Sequence, residues 1–229
     1  MRCTVCGSSV FNSHPVLWDD LIAEWQLSPH EVEYINLQQG MACTNCGSNL
    51  RSQALALAIQ TYLGSNQLLE QLVFEPELAS KSILEINEAG MLTRHLRVVP
   101  RYRFAAYPEV DMHAMMFESS SFDLVVHSDT LEHVAQPIRA LAECCRVLRP
   151  GGALCFTVPI IVGRLSRDRG GLAPSYHGNP TSHPEDFVVH TEFGADVWTS
   201  VILAGFKSVE IVSLNFPAGI ALIARKADA

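Results

Sequence analysis

Four of the seven cysteines fall in two copies of one heptapeptide, Cys3-Thr4-Val5-Cys6-Gly7-Ser8-Ser9 and Cys43-Thr44-Asn45-Cys46-Gly47-Ser48-Asn49. A Cys-x-x-Cys turn points two thiolates at one ion, and the glycine after it can take the positive φ that such a tight turn favours. Two such knuckles complete a closed tetrahedron of sulfur with no open position for water or substrate. The reading is therefore a structural zinc site on Cys3, Cys6, Cys43 and Cys46, with iron as the other metal that four thiolates suit. A redox dithiol would need only one pair. An odd number of cysteines, and no long apolar segment after Met1-Arg2-Cys3, argue against a disulfide framework and for the reducing cytoplasm. Cys144, Cys145 and Cys155 read as small hydrophobes within a helix and a strand.

These residues need elements to hold them. Ser28-Pro29-His30-Glu31 has the form of a capping box with proline at the first helical position, which predicts a helix from there through Tyr34 toward Gly40. Trp18, Leu21, Ile22 and Trp25 recur at helical spacing before it and are expected to pack against the metal site. Leu55, Ile59, Tyr62 and Leu63 mark one face of a helix ending near Gly64.

From about Lys81 the pattern changes. Ser82 to Ile86, Tyr102 to Ala106, Phe122 to His127, Ala153 to Val158, Val209 to Leu214 and Ile220 to Ala224 read as strands. A helix is predicted from Pro137 to Leu148, with Ile138, Leu141, Cys145 and Leu148 on its buried face and a stop and turn at Arg149-Pro150-Gly151-Gly152. Alternating strands and helices imply an α/β fold with a doubly wound, mostly parallel sheet. The expected division is a zinc-ribbon-like module over 1–50, a helical connection over 51–78 and the sheet domain over 79–229.

Sixteen Lys and Arg against 24 Asp and Glu give a formal charge of -8, which disfavours a nucleic-acid partner because phosphate binding needs a basic surface. The longest nearly apolar run, Ala153 to Gly163, is interrupted by Thr157 and Pro159 and falls short of the roughly 20 residues of a spanning helix. No membrane association is expected. The sequence does not fix an oligomeric state.

Two stretches carry a resemblance. Phe122-Asp123-Leu124-Val125-Val126-His127-Ser128-Asp129-Thr130-Leu131-Glu132-His133-Val134 and Ala142-Glu143-Cys144-Cys145-Arg146-Val147-Leu148-Arg149-Pro150-Gly151-Gly152 resemble the fourth and fifth motif regions of class I S-adenosylmethionine-dependent methyltransferases. The likeness extends over roughly residues 80 to 225, and the whole chain resembles methyltransferase-domain proteins with a cysteine-rich N-terminal segment. It implies a Rossmann-like sheet with S-adenosylmethionine across its carboxyl ends. Carried over, Glu85, Ile86, Asn87 and Gly90 fall in the first motif. Tyr107 follows the second strand, and Asp111-Met112 matches the pair that meets the adenine. His127 and Ser128 end the fourth strand beside the methyl group. The chain departs from the pattern where Asn87-Glu88-Ala89 replaces a glycine-rich turn, and where Ala106 replaces the acidic residue that binds the ribose.

Between Ile160 and Glu192 lies a long irregular stretch, of the kind that often forms a lid or binding loop. Arg164, Arg167 and Arg169 read as surface charges or, in part, as ligands for an acceptor anion. His177, His183 and His190 have no familiar metal-ligand spacing. If the acceptor is a hydroxyl, a histidine suits the role of base, and His127 and then His177 are the candidates. His133 is expected to be structural. The leading function is methyl transfer to a small-molecule or glycan-type hydroxyl. The alternative is a non-catalytic relative whose zinc module mediates protein contacts.

Overall fold

The computed structural model describes residues 1–176 and 187–229. Near the N-terminus, strands β1 (Phe11–Ser13) and β2 (Met41–Cys43) form an antiparallel ribbon, and helices α1 (Asp19–Glu24) and α2 (Pro29–Gly40) lie between them in the chain. The capping box forms as its sequence requires: Ser28 Oγ accepts from the Glu31 amide, and Glu31 Oε2 accepts from the Ser28 amide.

The apolar residues of α1 pack elsewhere than expected. Leu21 and Trp25 share a small core with Ile161 and Val189, away from the cysteines. Polar ties hold this arrangement: Trp25 Nε1 donates to Ser175 Oγ at 2.9 Å. Arg164 forks onto the Glu31 carboxylate and also donates to the carbonyls of Trp25 and Gln26. Arg169 pairs with Glu192 and Glu24 beneath the Trp25 ring. Two of the three loop arginines are thus engaged by the protein itself.

Helix α3 (Leu50–Leu63) is capped by the Asn49 side chain and ends at Gly64 with φ +65. It is buried on nearly every side from Leu50 to Gln60, beyond the single stripe its periodicity predicts. The cause is its place in the fold. Ala54, Leu55 and Ile59 share one core with Cys3, Cys43, Cys46 and the sheet residues Ile83, Val126 and Cys155. The segment expected as a connection is a layer of the sheet domain, wedged between strands and cysteines. Short helices α4 (Leu69–Leu72) and α5 (Pro76–Ala79) follow.

Six strands then build the main sheet, each within a few residues of its predicted position: β3 (Ser82–Ile86), β4 (Arg101–Ala105), β5 (Phe122–Ser128), β6 (Leu148–Thr157), and, after the small strands β7 (Ile160–Ile161), β8 (Arg167–Asp168) and β9 (Thr191–Gly194), β10 (Ser208–Leu214) and β11 (Gly219–Arg225). Their order is β10-β11-β6-β5-β3-β4. Strands β3 to β6 run parallel, and β11 enters antiparallel between β6 and β10. Helices α6 (Thr93–Leu96), α7 (Pro137–Val147) and α8 (Val197–Leu203) complete the layers.

Both faces of the sheet are covered, so successive side chains alternate between two cores. Ile83, Leu124, Val126 and Cys155 face α3 and the cysteines; Leu84, Ile86, Val125 and Phe156 face α7 and α8. Helix α7 presents Ala140, Leu141, Cys144 and Val147 to the core, rotated from the predicted face, and Ile138 is exposed. Arg149 to Gly152 lies inside β6, where the register slips between Phe122 and Leu124, and is a bulge instead of the expected turn. A Cβ on Gly152 would stand 2.9 Å from the carbonyl oxygens of Arg149 and Asp123, which explains the glycine. Among the described residues, no helix is long and apolar enough to cross a membrane.

Candidate functional site

The chain leaves β3 for β4 on one side and then crosses back to β5 on the other, so the switch point lies between β3 and β5. Open α/β sheets bind ligands beyond the strand ends at that point. A cavity of about 740 Å³ opens there, walled by the loops that follow β3, β4 and β5 and, on the far side, by Phe187 and His190.

Asn87 organises the near wall. Its φ is +55, a left-handed conformation that asparagine tolerates better than most residues, which accounts for its presence where the related motif has glycine. Its amide donates to Ala105 O at 2.8 Å, and its side-chain oxygen accepts from the Tyr107 amide at 3.2 Å. The loops after β3 and β4 are thereby joined. Of the three residues replacing the glycine-rich turn, Asn87 and Glu88 line the cavity, while Ala89 is fully buried in the core toward the cysteines. Only two of the added side chains face the pocket.

Ile86, Asn87, Tyr107, Asp111, Met112 and Ser128 all line this cavity; Glu85, Gly90 and His127 do not. Glu85 points to the rear, where its carboxylate accepts from the Ala89 amide at 2.7 Å, Thr93 Oγ1 at 2.5 Å and Tyr102 Oη at 2.6 Å. It shapes the loop from behind. Gly90 takes φ +57 behind the loop, against Ser52 of α3.

His127 precedes Ser128 in β5 and so points to the opposite face. Its ring is fully buried beside Phe156, 5.0 Å between ring centroids. Burial alone drives its pKa down to about 3. His127, expected as base and cofactor contact, has its ring turned into the core by pleat alternation and does not line the cavity. His177 and His183 lie outside the described residues.

Sequence reasoning passed over several cavity residues. His113 Nδ1 donates to Asp111 Oδ1 at 2.7 Å, because its Nε2 accepts from the Gln136 amide at 3.1 Å. Hydrogen bonding from the His113 amide, joined by its ring, holds the Asp111 carboxyl below the usual range. Asp129, at φ +48, is ion-paired with Arg51 of α3, which also donates to Gln38. Burial lowers Arg51 to about 10, with Glu132 opposing, so it stays charged at neutral pH.

Glu132 is buried beside His133, 3.7 Å from its Nε2. Burial pushes its carboxyl up, against the pull of His133 and Arg51. His133 lines the cavity, and its Nδ1 lies 3.0 Å from Val188 O. A carbonyl only accepts, so Nδ1 carries the proton of that hydrogen bond. The Asp-x-x-Glu-His run after β5 was the available signal, and the turn at Leu131–His133 is what brings Asp129 and His133, but not Glu132, to the cavity.

On the rear of the same loop, the four cysteine sulfurs lie within 4.8 Å of one another. Cys3 and Cys46 are 3.6 Å apart, as are Cys6 and Cys43. A tetrahedron with Zn–S near 2.3 Å has edges of about 3.8 Å, so the donor set fits zinc. The knuckles match bond for bond: the Gly7 and Gly47 amides donate to the Cys3 and Cys43 carbonyls, with φ of +77 and +74. Burial pushes the Cys3 thiol up. At Cys43, burial is outweighed by the amides of Cys46 and Asn45, and the thiol falls to about 7.

Residues 63–156 match the family model described as a methyltransferase domain. The chain is 26% identical over 157 residues to the ubiquinone biosynthesis O-methyltransferase of Methylococcus capsulatus, covering 64% of this chain and 58% of that protein. It is 47% identical over 49 residues to an uncharacterized 37.1 kDa protein in transposon TN4556 of Streptomyces fradiae, covering 21% and 14%. The chain therefore spans less than two thirds of the length of the curated relatives it matches. Among solved structures it is similar to an S-adenosylmethionine-dependent methyltransferase of Methanosarcina mazei, with 16% identity, TM-score 0.40 and coverage of 65% and 93%. It is also similar to human N-acetylserotonin methyltransferase in complex with S-adenosylmethionine, with 14% identity, TM-score 0.43 and coverage of 77% and 56%.

Proposed function

Because residues 63–156 match a methyltransferase domain, we propose that the chain is a class I methyltransferase that moves the methyl group of S-adenosylmethionine onto a hydroxyl of a small-molecule or glycan-type acceptor. Zinc on the four cysteines is structural in this reading, in keeping with the reducing cytoplasm. The observation that carries it is the cavity at the switch point, walled by Asn87, Asp111, Met112 and Ser128. The names of the O-methyltransferase relatives support an oxygen acceptor.

When bound, the cofactor supplies a sulfonium methyl group open to in-line displacement, and the protein's work is to align the acceptor and exclude water. Asp111, oriented by His113, would accept from the adenine amine, and Met112 would lie against the ring. Glu88, which lines the same cavity, would take the ribose hydroxyls in place of the acidic residue absent at Ala106. His133, which lines the cavity with Glu132 3.7 Å from its Nε2, would receive the acceptor proton.

Calorimetry with S-adenosylhomocysteine tests the core of this reading. Micromolar binding, weakened at least about tenfold in Asp111→Ala, is expected, a loss of about 1.4 kcal/mol. No heat at millimolar ligand would sink it. Product release measured over a panel of hydroxylated small molecules and glycans tests the acceptor class, and methylation of nucleic acid alone would refute that part. In the active system, His133→Asn should lower kcat by about 100-fold and leave S-adenosylhomocysteine affinity unchanged.

A further inference from the structure

The cysteine site and the cavity lie on opposite sides of one loop, and the second knuckle touches that loop directly. Arg94, in α6 just beyond the loop, donates to Cys46 O at 2.7 Å. The Met91 side chain lies against Gly47, where a Cβ would come within 3.2 Å of its terminal methyl. Three residues after Cys46, the Asn49 side chain starts α3. Arg51 then reaches the cavity residue Asp129, and Ser52 Oγ packs where a Cβ on Gly90 would stand 2.9 Å away. Between Cys46 and Ser52 the chain runs from one of the clustered cysteines to a partner of the cavity residue Asp129 and to the back of the loop that carries Asn87.

The first knuckle makes different contacts. Its Thr4 and Val5 carbonyls accept from the Leu69 and Glu70 amides, and Thr4 O also accepts from Gln60. Those partners lie near the far end of α3 and in α4, away from the loop, and Thr4 Oγ1 also donates to Gln53 O at 2.7 Å, in the first turn of α3.

We infer that the second knuckle is the rear support of the cofactor site, and that Arg94 and Arg51 are the positioning residues through which metal-held order at Cys43 and Cys46 sets cofactor affinity. The inference rests on the reading of the cavity as the S-adenosylmethionine site. Free energy of metal binding at such a site is free energy of local folding. Without it the Cys46 carbonyl and the start of α3 lose their fixed positions, and with them the partners of Arg94 and Asp129. Coupling of this kind is reciprocal, so the cofactor must in turn hold the metal.

The test is S-adenosylhomocysteine titration into the full chain, zinc-loaded and then stripped by chelator under reducing conditions. Stripping should weaken binding at least about fivefold, the lower end of typical couplings between sites. Zinc-loaded Arg94→Ala should weaken it in the same direction with zinc content unchanged, and Arg94→Lys should recover part of the loss. S-adenosylhomocysteine should lower equilibrium transfer of zinc to a chelating dye by the same factor as stripping. Arg149→Ala, which breaks a pair with Asp123 at the opposite end of the strands, should leave affinity unchanged, separating positioning from general loss of stability. If the stripped chain unfolds, the loaded Arg94 variants and the dye competition decide. Loaded wild type that binds no S-adenosylhomocysteine overturns the functional reading beneath. Loaded wild type that binds it, with affinity indifferent to Arg94→Ala and no effect on zinc transfer, overturns this inference alone.

Discussion

Glu85 and His127 stand near the carboxyl ends of adjacent parallel strands, in a register that pairs Ile86 with His127. Both are fully buried, yet the fold treats them in opposite ways. Glu85 faces α3 and the cysteines and accepts three hydrogen bonds from the loop and strand it organises. His127 faces α7 and α8, and no hydrogen-bonding group of the described residues reaches either ring nitrogen. The sheet therefore has a wired face and a dry face. Buried polar groups are stabilising only when satisfied, so the rear of the loop after β3 is where order is specified and the other face supplies packing.

The largest perturbation of the wired face is removal of two of the four clustered cysteines. Elemental analysis should find about one zinc per wild-type chain and none in Cys43→Ser with Cys46→Ser. Losing a structural zinc site costs several kcal/mol. At about 2–4 °C per kcal/mol for a chain of this size, thermal unfolding should move down by more than about 10 °C. A metal-free wild type, or an unchanged melting temperature in the double variant, would break the comparison at its root.

Glu85→Ala comes next. It strands the Ala89 amide and the hydroxyls of Thr93 and Tyr102, at about 1–3 kcal/mol for each buried group left unpaired. Urea unfolding should show a loss of about 3–5 kcal/mol, and S-adenosylhomocysteine affinity should fall because the loop is no longer held from behind. Glu85→Gln keeps one carbonyl oxygen as acceptor and should lose less than half as much. Equal losses in the two variants would mean that side-chain volume, not hydrogen bonding, is what matters there.

Asn87 sharpens the comparison at the loop itself. Asn87→Gly restores the residue of the related motif and suits φ +55, so stability should stay within about 1 kcal/mol of wild type. Asn87→Val places a β-branched residue in the left-handed region and should cost about 1–2 kcal/mol more than glycine does. Differential scanning calorimetry of the pair reads the difference, and parity between them would contradict the backbone assignment.

The strand set, the capping box, the end of α3 at Gly64 and the pairing of the two knuckles were legible in the sequence because each rests on local spacing. What was not legible depends on parity or on distant partners. Glu85 and His127 sit where the motif pattern puts cofactor contacts, but a strand shows alternate residues to opposite faces, and neither points into the cavity. The burial of α3 and the placement of α1 over Ile161 and Val189 come from long-range packing that helical periodicity does not carry. Arg164 and Arg169 looked available for an acceptor; their partners Glu31, Glu24 and Glu192 are 23 to 145 positions away in the chain.

The smallest expected effect belongs to the dry face, and it is the one that separates the histidines. If His127 only packs, His127→Leu should leave methyl transfer at pH 7 within about threefold and stability there equal or slightly higher, since an unpaired buried polar group is removed. A 100-fold loss of kcat with the fold intact would return His127 to the chemistry. Stability against pH gives a second readout with a definite sign. Burial holds the folded-state pKa at about 3, against about 6.5 in the unfolded chain. Between those values the unfolded state binds one more proton than the folded state. This contribution to stability is therefore present above the unfolded pKa and is lost as pH falls, by up to about 1.4 kcal/mol per unit. His127→Leu lacks that titration, so between pH 7 and pH 5 the variant should gain about 2 kcal/mol on wild type in urea unfolding. Parallel curves for the two proteins would mean that His127 meets solvent or a partner, and that the face against α7 and α8 is not dry.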